Sequence, residues 1–396
     1  MPQRPPVGYQ VGGPGKFEVR ARNLDLGVTA GILSVGAAAN SALGPLAPKG
    51  ADLDIIVQHD LVMFSSAIIS KAGGTLRVQA GDEIQAGSSL ILPVSDGARG
   101  IYTSAGSDVT VLAGGNILLN GSRIAAYDGG NVTVRSTGGS IDAGSGGLSL
   151  QAVEQVRMNP ATGQISIQTD FIPGSGILAT TFSSGTAHVG DILVATPRGD
   201  ILARSGGVVQ APLNGTPSTG GKVELIAGTK PSDGDPGFVG RIDASKSGVI
   251  GGNVSLDATG SIIGVVFASG NINIQTPQAV NVTALAQGGV NVAAGGTISG
   301  TLVGLGSVTA TGSSVDAALV SQNVSGSPGA TAAVVASVAT AASQSATAQA
   351  TQSTPNSKPT TDADDEEARR LAGRRPVLVR TVGRVRVILP ETSRPN

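Results

Sequence analysis

The sequence predicts an all-β fold: a parallel β-helix, or β-solenoid, of about 18–20 residues per coil, followed by a disordered linker and short C-terminal strands. The first observation is a series of apolar residues, each 18 residues after the last: Val254, Ile272, Val290 and Val308. A second series lies between them at the same interval: Ile262, Val280 and Ile298. Strand-sized repeats at constant spacing are typical of solenoids, in which each coil buries its apolar residues against the next.

Local patterning and composition favour the same fold. Around each of these residues apolar and polar positions alternate, which is the period of a strand with one buried face. Of 396 residues, 59 are glycine, 2% are aromatic and 13% are charged, which suits a thin aliphatic core better than a compact enzyme with aromatic-lined pockets. An antiparallel sandwich of short strands is the alternative, but a sandwich does not require so constant an interval.

Glycine precedes each repeated strand, as in Gly270-Asn271-Ile272 and Gly288-Gly289-Val290. We expect this glycine to permit a sharp corner at positive φ. We expect the Asn or Asp that follows to hydrogen-bond the backbone of its own turn.

The repeats divide the first part of the chain. Residues 1–15 are rich in Pro and Gly, and we expect a flexible N-terminus. The β-helix is predicted over residues 16–322, with on the order of 12–14 coils between residues 51 and 319. The repeat is blurred from Val153 to Val189, which predicts coils with longer excursions. The Pro-containing segments 205–221 and 228–240 are predicted to be surface loops.

Three further segments follow the β-helix. Residues 323–361 are mostly Ala, Ser, Thr, Gln and Pro, which predicts a low-complexity linker. Residues 362–373 are predicted to form a short charged helix, because its acids come first and its arginines last. Residues 374–396 form a basic, strand-like C-terminal arm.

Charge and cysteine content restrict the partners. The formal net charge of −1 gives no reason to expect nucleic acid as a partner, and the absence of cysteine excludes disulfides and thiolate metal sites. No signal peptide is readable at the start, where charged residues follow Phe17 closely. We expect the chain to be the C-terminal part of a longer exported polypeptide, placed outside the cell or at its surface.

No residue is predicted to be catalytic. The two histidines, His59 and His188, are far apart, and neighbouring strand residues such as His59 and Asp60 point to opposite faces. Asp191 and Asp200 begin strands; in a β-helix polysaccharide lyase or hydrolase such acids would be clustered, but they serve turns equally well.

Three motifs are interpreted as structural and not as sites. Residues 233–237, Asp-Gly-Asp-Pro-Gly, offer two carboxylates for calcium but lack further ligands, which favours an ordinary turn. Gly221-Lys222 is followed by Val223 where a phosphate loop requires Ser or Thr. Arg198-Gly199-Asp200 is the tripeptide that integrins read, but its Gly-Asp-Ile continuation matches the start of a coil. No metal or cofactor is predicted.

The region from Phe17 to about Leu319 resembles the filamentous haemagglutinin family of large bacterial exoproteins. The resemblance rests on the Gly-Asn-Ile type of coil quoted above and on residues 17–31 and 50–84, which are similar to the repeats that precede such coils. It implies a right-handed β-helix, two-partner secretion through an outer-membrane transporter, and adhesion at the cell surface.

These observations together predict a non-enzymatic adhesin or structural rod that is secreted or exposed on the cell surface. Host or environmental glycans or proteins are the expected partners, with self-association through the ends of the solenoid as a further possibility. The alternatives are a β-helix carbohydrate-active enzyme and a self-assembling extracellular filament or matrix protein.

The C-terminal arm gives a first testable prediction. Between Arg374 and Pro390 the chain carries five arginines and no acid, in two apolar-rich runs around Gly383. If this hairpin caps the open end of the β-helix, deleting residues 374–396 should lower the melting temperature and promote end-to-end association. If it is a tether to the cell envelope, stability should hold while envelope retention falls. If the full chain and the deletion variant have the same melting temperature, the same end-to-end association and the same envelope retention, both roles are contradicted.

Overall fold

The computed structural model describes residues 8–36, 49–87, 99–144, 150–158, 165–173, 175–181, 189–212, 221–232, 236–326, 331–333, 377–382 and 385–390. Every regular element in these ranges is a β-strand. Contacts divide the chain into two units, residues 1–346 and 347–396. Among the described residues, no helix has the length and apolar character needed to cross a membrane.

The first unit contains a ladder of twelve parallel strands, called ladder 1. Its strands, in their order in the sheet, are β2 (Lys16–Ala21), β5 (Asp52–Val57), β8 (Leu76–Ala80), β11 (Val109–Ala113), β14 (Val132–Ser136), β19 (Ile192–Thr196), β22 (Lys222–Ala227), β24 (Asn253–Ala258), β26 (Ile272–Thr276), β28 (Val290–Ala294), β30 (Val308–Thr311) and β32 (Val324–Gly326). The sheet order is the sequence order, so each strand pairs with the corresponding strands of the preceding and following repeats.

The other nineteen strands of the stack belong to one sheet that begins as two parallel ladders. Ladder 2 consists of β3 (Leu24–Gly27), β6 (Leu61–Met63), β9 (Ile84–Gln85), β12 (Ile117–Leu118), β15 (Ile141–Asp142) and β20 (Ile201–Leu202). Ladder 3 consists of β1 (Gly8–Val11), β4 (Gly31–Ser34), β7 (Ala67–Ser70), β10 (Gly100–Thr103), β13 (Arg123–Tyr127), β18 (Gly176–Thr181) and β21 (Val208–Pro212).

Ladders 2 and 3 merge at a single strand, β23 (Ile242–Gly251), which pairs with both β20 and β21. The merged ladder continues through β25 (Ile262–Ala268), β27 (Val280–Ala286), β29 (Thr297–Gly304), β31 (Ser314–Val320) and β33 (Thr331–Ala333). We call residues 8–333, with these parallel ladders, the stack. Long parallel sheets whose order follows the sequence are consistent with a β-helix or solenoid.

The core lies between the ladders, and the predicted registers are confirmed where the interval is 18. Val290 pairs with Ile272 on one side and with Val308 on the other. All three are at most 1% exposed. In the second series, Ile262 pairs with Val280 and Val280 with Ile298, and each is fully buried. Most of the core residues form one continuous aliphatic cluster.

A uniform coil of about 18–20 residues is wrong for the earlier repeats. Leu76 pairs with Val109, 33 positions later, and Val132 pairs with Ile192, 60 positions later. The strands keep their register because the extra residues are accommodated between strands. Longer repeats also mean fewer repeats: from β5 to β30 ladder 1 has ten strands, below the predicted 12–14.

The corners between strands follow a rule that differs from the predicted one. Asn253 Oδ1 accepts a hydrogen bond from the backbone N–H of Asn271 at 3.0 Å, and Asn271 Oδ1 accepts one from Gly289 at 2.7 Å. These bonds therefore join consecutive repeats, whereas the sequence predicts bonds within one turn. Neither Gly270 nor Gly288 has a positive φ. A Cβ at Gly288 would collide with Asn271 Oδ1 and the Gly270 carbonyl oxygen, so the close approach of repeats requires glycine there.

The structure extends the predicted stack at both ends. Gly8–Val11, within the predicted flexible N-terminus, pairs with β4. Val324–Gly326 and Thr331–Ala333 pair with β30 and β31, beyond residue 322. The blurred region contains an antiparallel hairpin, β16 (Leu150–Met158) with β17 (Ile165–Pro173). The predicted loop over residues 205–221 is wrong in part, because Val208–Pro212 forms β21, which pairs with β18 and buries Val208 and Val209.

The second unit contains the predicted C-terminal strands as an antiparallel pair, β34 (Val377–Val382) and β35 (Val385–Pro390). The rest of the predicted linker, residues 334–361, and the predicted charged helix, residues 362–373, lie outside the described residues.

Paired substitutions at adjacent positions test the register. Val290→Asp places an unpaired carboxylate in the core and should lower the free energy of unfolding by about 4 kcal/mol or more. Asn291→Asp should cost about 1 kcal/mol or less, because Asn291 is exposed and loses only its side-chain hydrogen bond to Asn273. Thermal unfolding followed by circular dichroism compares them. Equal melting temperatures for the two variants would contradict the register.

Candidate functional site

The acids that begin strands are used in bonds between repeats. Asp191 Oδ1 accepts the backbone N–H of Lys222 at 2.7 Å. Asp200 Oδ1 accepts the backbone N–H of Arg241 at 2.9 Å, and its Oδ2 accepts Arg241 Nε at 2.9 Å. Asp191 and Asp200 therefore stand at two separate corners of the stack, each bonded to the following repeat. Within Arg198-Gly199-Asp200, Gly199 is buried and the aspartate is held in the stack, as the sequence predicts.

The remaining sequence candidates do not come together. His59 Nδ1 lies 2.9 Å from Asp82 Oδ2, in an exposed pair, and so contacts an acid other than its neighbour Asp60. Lys222 contacts Glu224 at 2.8 Å on the strand surface. His188 and residues 233–235 lie outside the described residues. Among the residues that the structure describes, no three His, Asp or Glu side chains are grouped to hold a metal ion.

A groove on the outer face of ladder 1 is the strongest candidate site. Its floor is a row of register partners on β24, β26, β28 and β30: Asp257, Gln275, Ala293 and Thr311. These positions point outward because they alternate with the buried core residues. The cavity measures about 600 Å³. Most of its lining is aliphatic or aromatic carbon, with a few amide and hydroxyl groups at the edge.

One wall of the groove is the segment between β22 and β23, where the sequence predicts a surface loop. It contributes Lys230, Pro231, Pro236, Phe238 and Val239. Phe238 and Thr229 exchange two backbone hydrogen bonds of 2.9 Å, which fold the segment back on itself. Thr259 Oγ1 donates to the Phe238 carbonyl oxygen at 2.6 Å and accepts from Gly240 N–H at 3.0 Å. The wall is therefore fixed to the stack at its base.

The groove has little net charge. Asp257 is the only acid among its described lining residues, and Asp257 Oδ2 lies 3.4 Å from Lys230 Nζ. General acid–base catalysis of glycoside cleavage uses two carboxyl groups flanking the bond. The described lining supplies one carboxyl group, Asp257, which is paired with Lys230.

A second apolar row, which the sequence analysis did not predict, lies on the outer face of ladder 3. Its members are successive register partners: Ile69, Tyr102, Ala125, Leu178 and Val209. All are at most 8% exposed. In a strand with alternating positions, the outward-facing residues are expected to be exposed to solvent. The strand register was therefore needed to show that these buried residues form one row.

Beside this row lie a buried arginine and a buried tyrosine. Arg123 is 1% exposed, and its Nε and Nη1 have no hydrogen-bond partner among the residues that the structure describes. Tyr127 packs edge-on against Tyr102, with ring centroids 5.7 Å apart. Burial raises the pKa of the Tyr127 phenol to about 12, although the neighbouring Arg123 acts in the opposite direction. Burial and the neighbouring Arg123 lower the pKa of Arg99.

The raised pKa of Tyr127 predicts a loss of stability in alkali. An exposed tyrosine ionises near pH 10, so between pH 10 and 12 the unfolded chain releases a proton that the folded chain retains. The ionisation equilibrium of Tyr127 therefore leaves the free energy of unfolding unchanged below pH 10 and lowers it progressively above pH 10. Tyr127→Phe should remove roughly 1 kcal/mol of the loss between pH 8 and pH 11. Denaturant unfolding at the two pH values measures this, and equal losses in both proteins would contradict it.

Comparison of the chain with family models, with curated proteins and with solved structures produced no match.

Proposed function

We propose that the stack is a right-handed parallel β-helix and that the chain is a non-enzymatic adhesin or structural rod, secreted or exposed on the cell surface. Support comes from the pairing of successive parallel strands through the first unit. A repeated architecture of this kind provides long lateral surfaces for binding. Its function then depends on what those surfaces present.

The groove on ladder 1 is the observation that carries the proposal. It is a concave, mainly apolar surface with a fixed wall and a few polar groups, which is the usual composition of a binding site. An enzymatic hypothesis would use Asp191, Asp200 and His59. These residues are separated, and they are bonded to Lys222, Arg241 and Asp82, respectively.

The proposed partners are host or environmental glycans or proteins. We propose export through an outer-membrane transporter, on the basis of the sequence resemblance described above. Self-association through the ends of the β-helix is the further proposed contact.

An adhesion assay tests the proposal. Beads coated with the purified full chain should attach saturably to cells or to an extracellular matrix, and soluble chain should compete. In parallel, the chain should release no reducing ends or unsaturated products from a panel of acidic and neutral polysaccharides. Attachment equal to that of albumin-coated beads would overturn the adhesive role. Product release would establish the carbohydrate-active enzyme in its place.

A further inference from the structure

We propose that the groove between residues 229–231 and 236–239, on one side, and the outer face of ladder 1, on the other, binds an uncharged glycan chain. Phe238 is the stacking surface, and the amides of Gln275 and Gln278 are the hydrogen-bonding groups. The inference rests on the proposed adhesive function and specifies its ligand and its site.

The first argument is the position of Phe238. The chain contains only six phenylalanines, yet Phe238 is 43% exposed and the adjacent Val239 is 68% exposed. Its exposure is not that of a loose loop tip, because the backbone hydrogen bonds to Thr229 and the bond from Thr259 fix its position. These bonds hold the backbone of Phe238, and its exposed ring offers the flat apolar surface on which the C–H face of a sugar ring stacks.

The second argument is the set of polar groups beside that ring. Gln275 and Gln278 are exposed, and their side-chain amides make no hydrogen bond to the described residues. An amide presents donors and an acceptor together, which matches a sugar hydroxyl that both donates and accepts. An aromatic ring and two exposed amides that line the same groove therefore suit both the apolar and the polar face of a pyranose.

The third argument selects an uncharged ligand. Asp257 and Lys230 neutralise each other at 3.4 Å, and neither charge is available without breaking that pair. A sulfated or uronic-acid chain would find no unpaired basic side chain among the described lining residues. Anionic ligands are usually held by arginine or lysine, and Lys230, the only basic residue of the described lining, is already paired, which disfavours an anionic glycan.

The fourth argument disfavours a peptide. Recognition of an extended peptide commonly adds a strand to an open sheet edge. At the groove floor β26 is paired on both sides, with β24 and with β28. The floor therefore offers side chains and no free backbone edge. Its row from Asp257 to Thr311 crosses three strand intervals, or roughly 14 Å, enough for a short oligosaccharide.

The experiment measures binding of the full chain to a panel of neutral oligosaccharides, with sulfated and uronate oligosaccharides alongside. Titration calorimetry measures the affinity, and saturation-transfer NMR identifies the sugar protons that contact the protein. At least one neutral glycan should bind, and its affinity should change little between low and high salt. Binding restricted to the anionic members, or absent throughout the panel, would overturn the inference.

Substitutions locate the site. Phe238→Ala should weaken binding about tenfold, and Gln275→Ala about three- to tenfold. Phe238→Tyr keeps the ring and should retain binding. Tyr9→Ala is the matched control, because Tyr9 is an aromatic residue 66% exposed on β1 at the first repeat. Unchanged melting temperatures establish that each variant is folded. If Phe238→Ala binds as well as the parent, the groove is not the site.

Bead adhesion separates this inference from the proposed function. Beads carrying Phe238→Ala that attach as well as parent beads, while glycan binding is lost, would overturn the groove as the adhesive site but leave the adhesive function intact. Absence of attachment by the parent chain would overturn the proposed function itself. Loss of both glycan binding and attachment in Phe238→Ala supports both.

Discussion

The register between consecutive repeats is the constraint on which the rest of the structure depends. Val290 N–H donates to the Ser307 carbonyl oxygen of the following repeat at 2.8 Å, and in this alignment the Val290 side chain lies in the core. A slip of one residue would exchange every core side chain for an exposed one. The corner bonds oppose such a slip, because each Asn or Asp oxygen matches one N–H of the following repeat. At Asp52 this bond, from the Thr75 N–H, lowers the pKa of the carboxyl. Backbone bonds, core rows and corner acceptors thus all specify one alignment.

The same constraint explains why the chain tolerates large insertions. Register partners in ladder 1 are separated by 18 residues in the later repeats and by 60 between Val132 and Ile192. Closing a longer loop costs only slowly increasing entropy, whereas the pairing it connects is unchanged. An insertion therefore adds surface without altering the core. The groove is an example: residues 229–231 and 236–239, between β22 and β23, form a wall beside the outer face of ladder 1.

The features of the fold that could be predicted from the sequence are those defined by residues at short, constant spacing. The rows through Val290 and Val280 were predictable because their spacing is constant and their neighbours alternate. The row through Tyr102 and Leu178 was not, because variable insertions hide the pairing and outward positions are assigned to solvent. The groove was also beyond prediction, because Phe238 and Gln275 are 37 positions apart in the sequence and only the folded chain brings them into the lining of one groove. The prediction that glycine precedes each strand in order to adopt a positive φ was wrong at Gly270 and Gly288. Glycine is required at Gly288 because the preceding repeat lies too close for a Cβ.

The direction of the hydrogen bonds has a mechanical consequence. In the stack the bonds between repeats run along the stacking direction, since each ladder pairs a strand with its counterpart in the next repeat. A pulling force on the C-terminal end would therefore load the bonds of the last repeat before those of the others. In the region of constant interval, each detached repeat would release 18 residues, which extend to about 60 Å. Such a chain would lengthen in steps under load, dissipating energy repeat by repeat while the remainder stays folded.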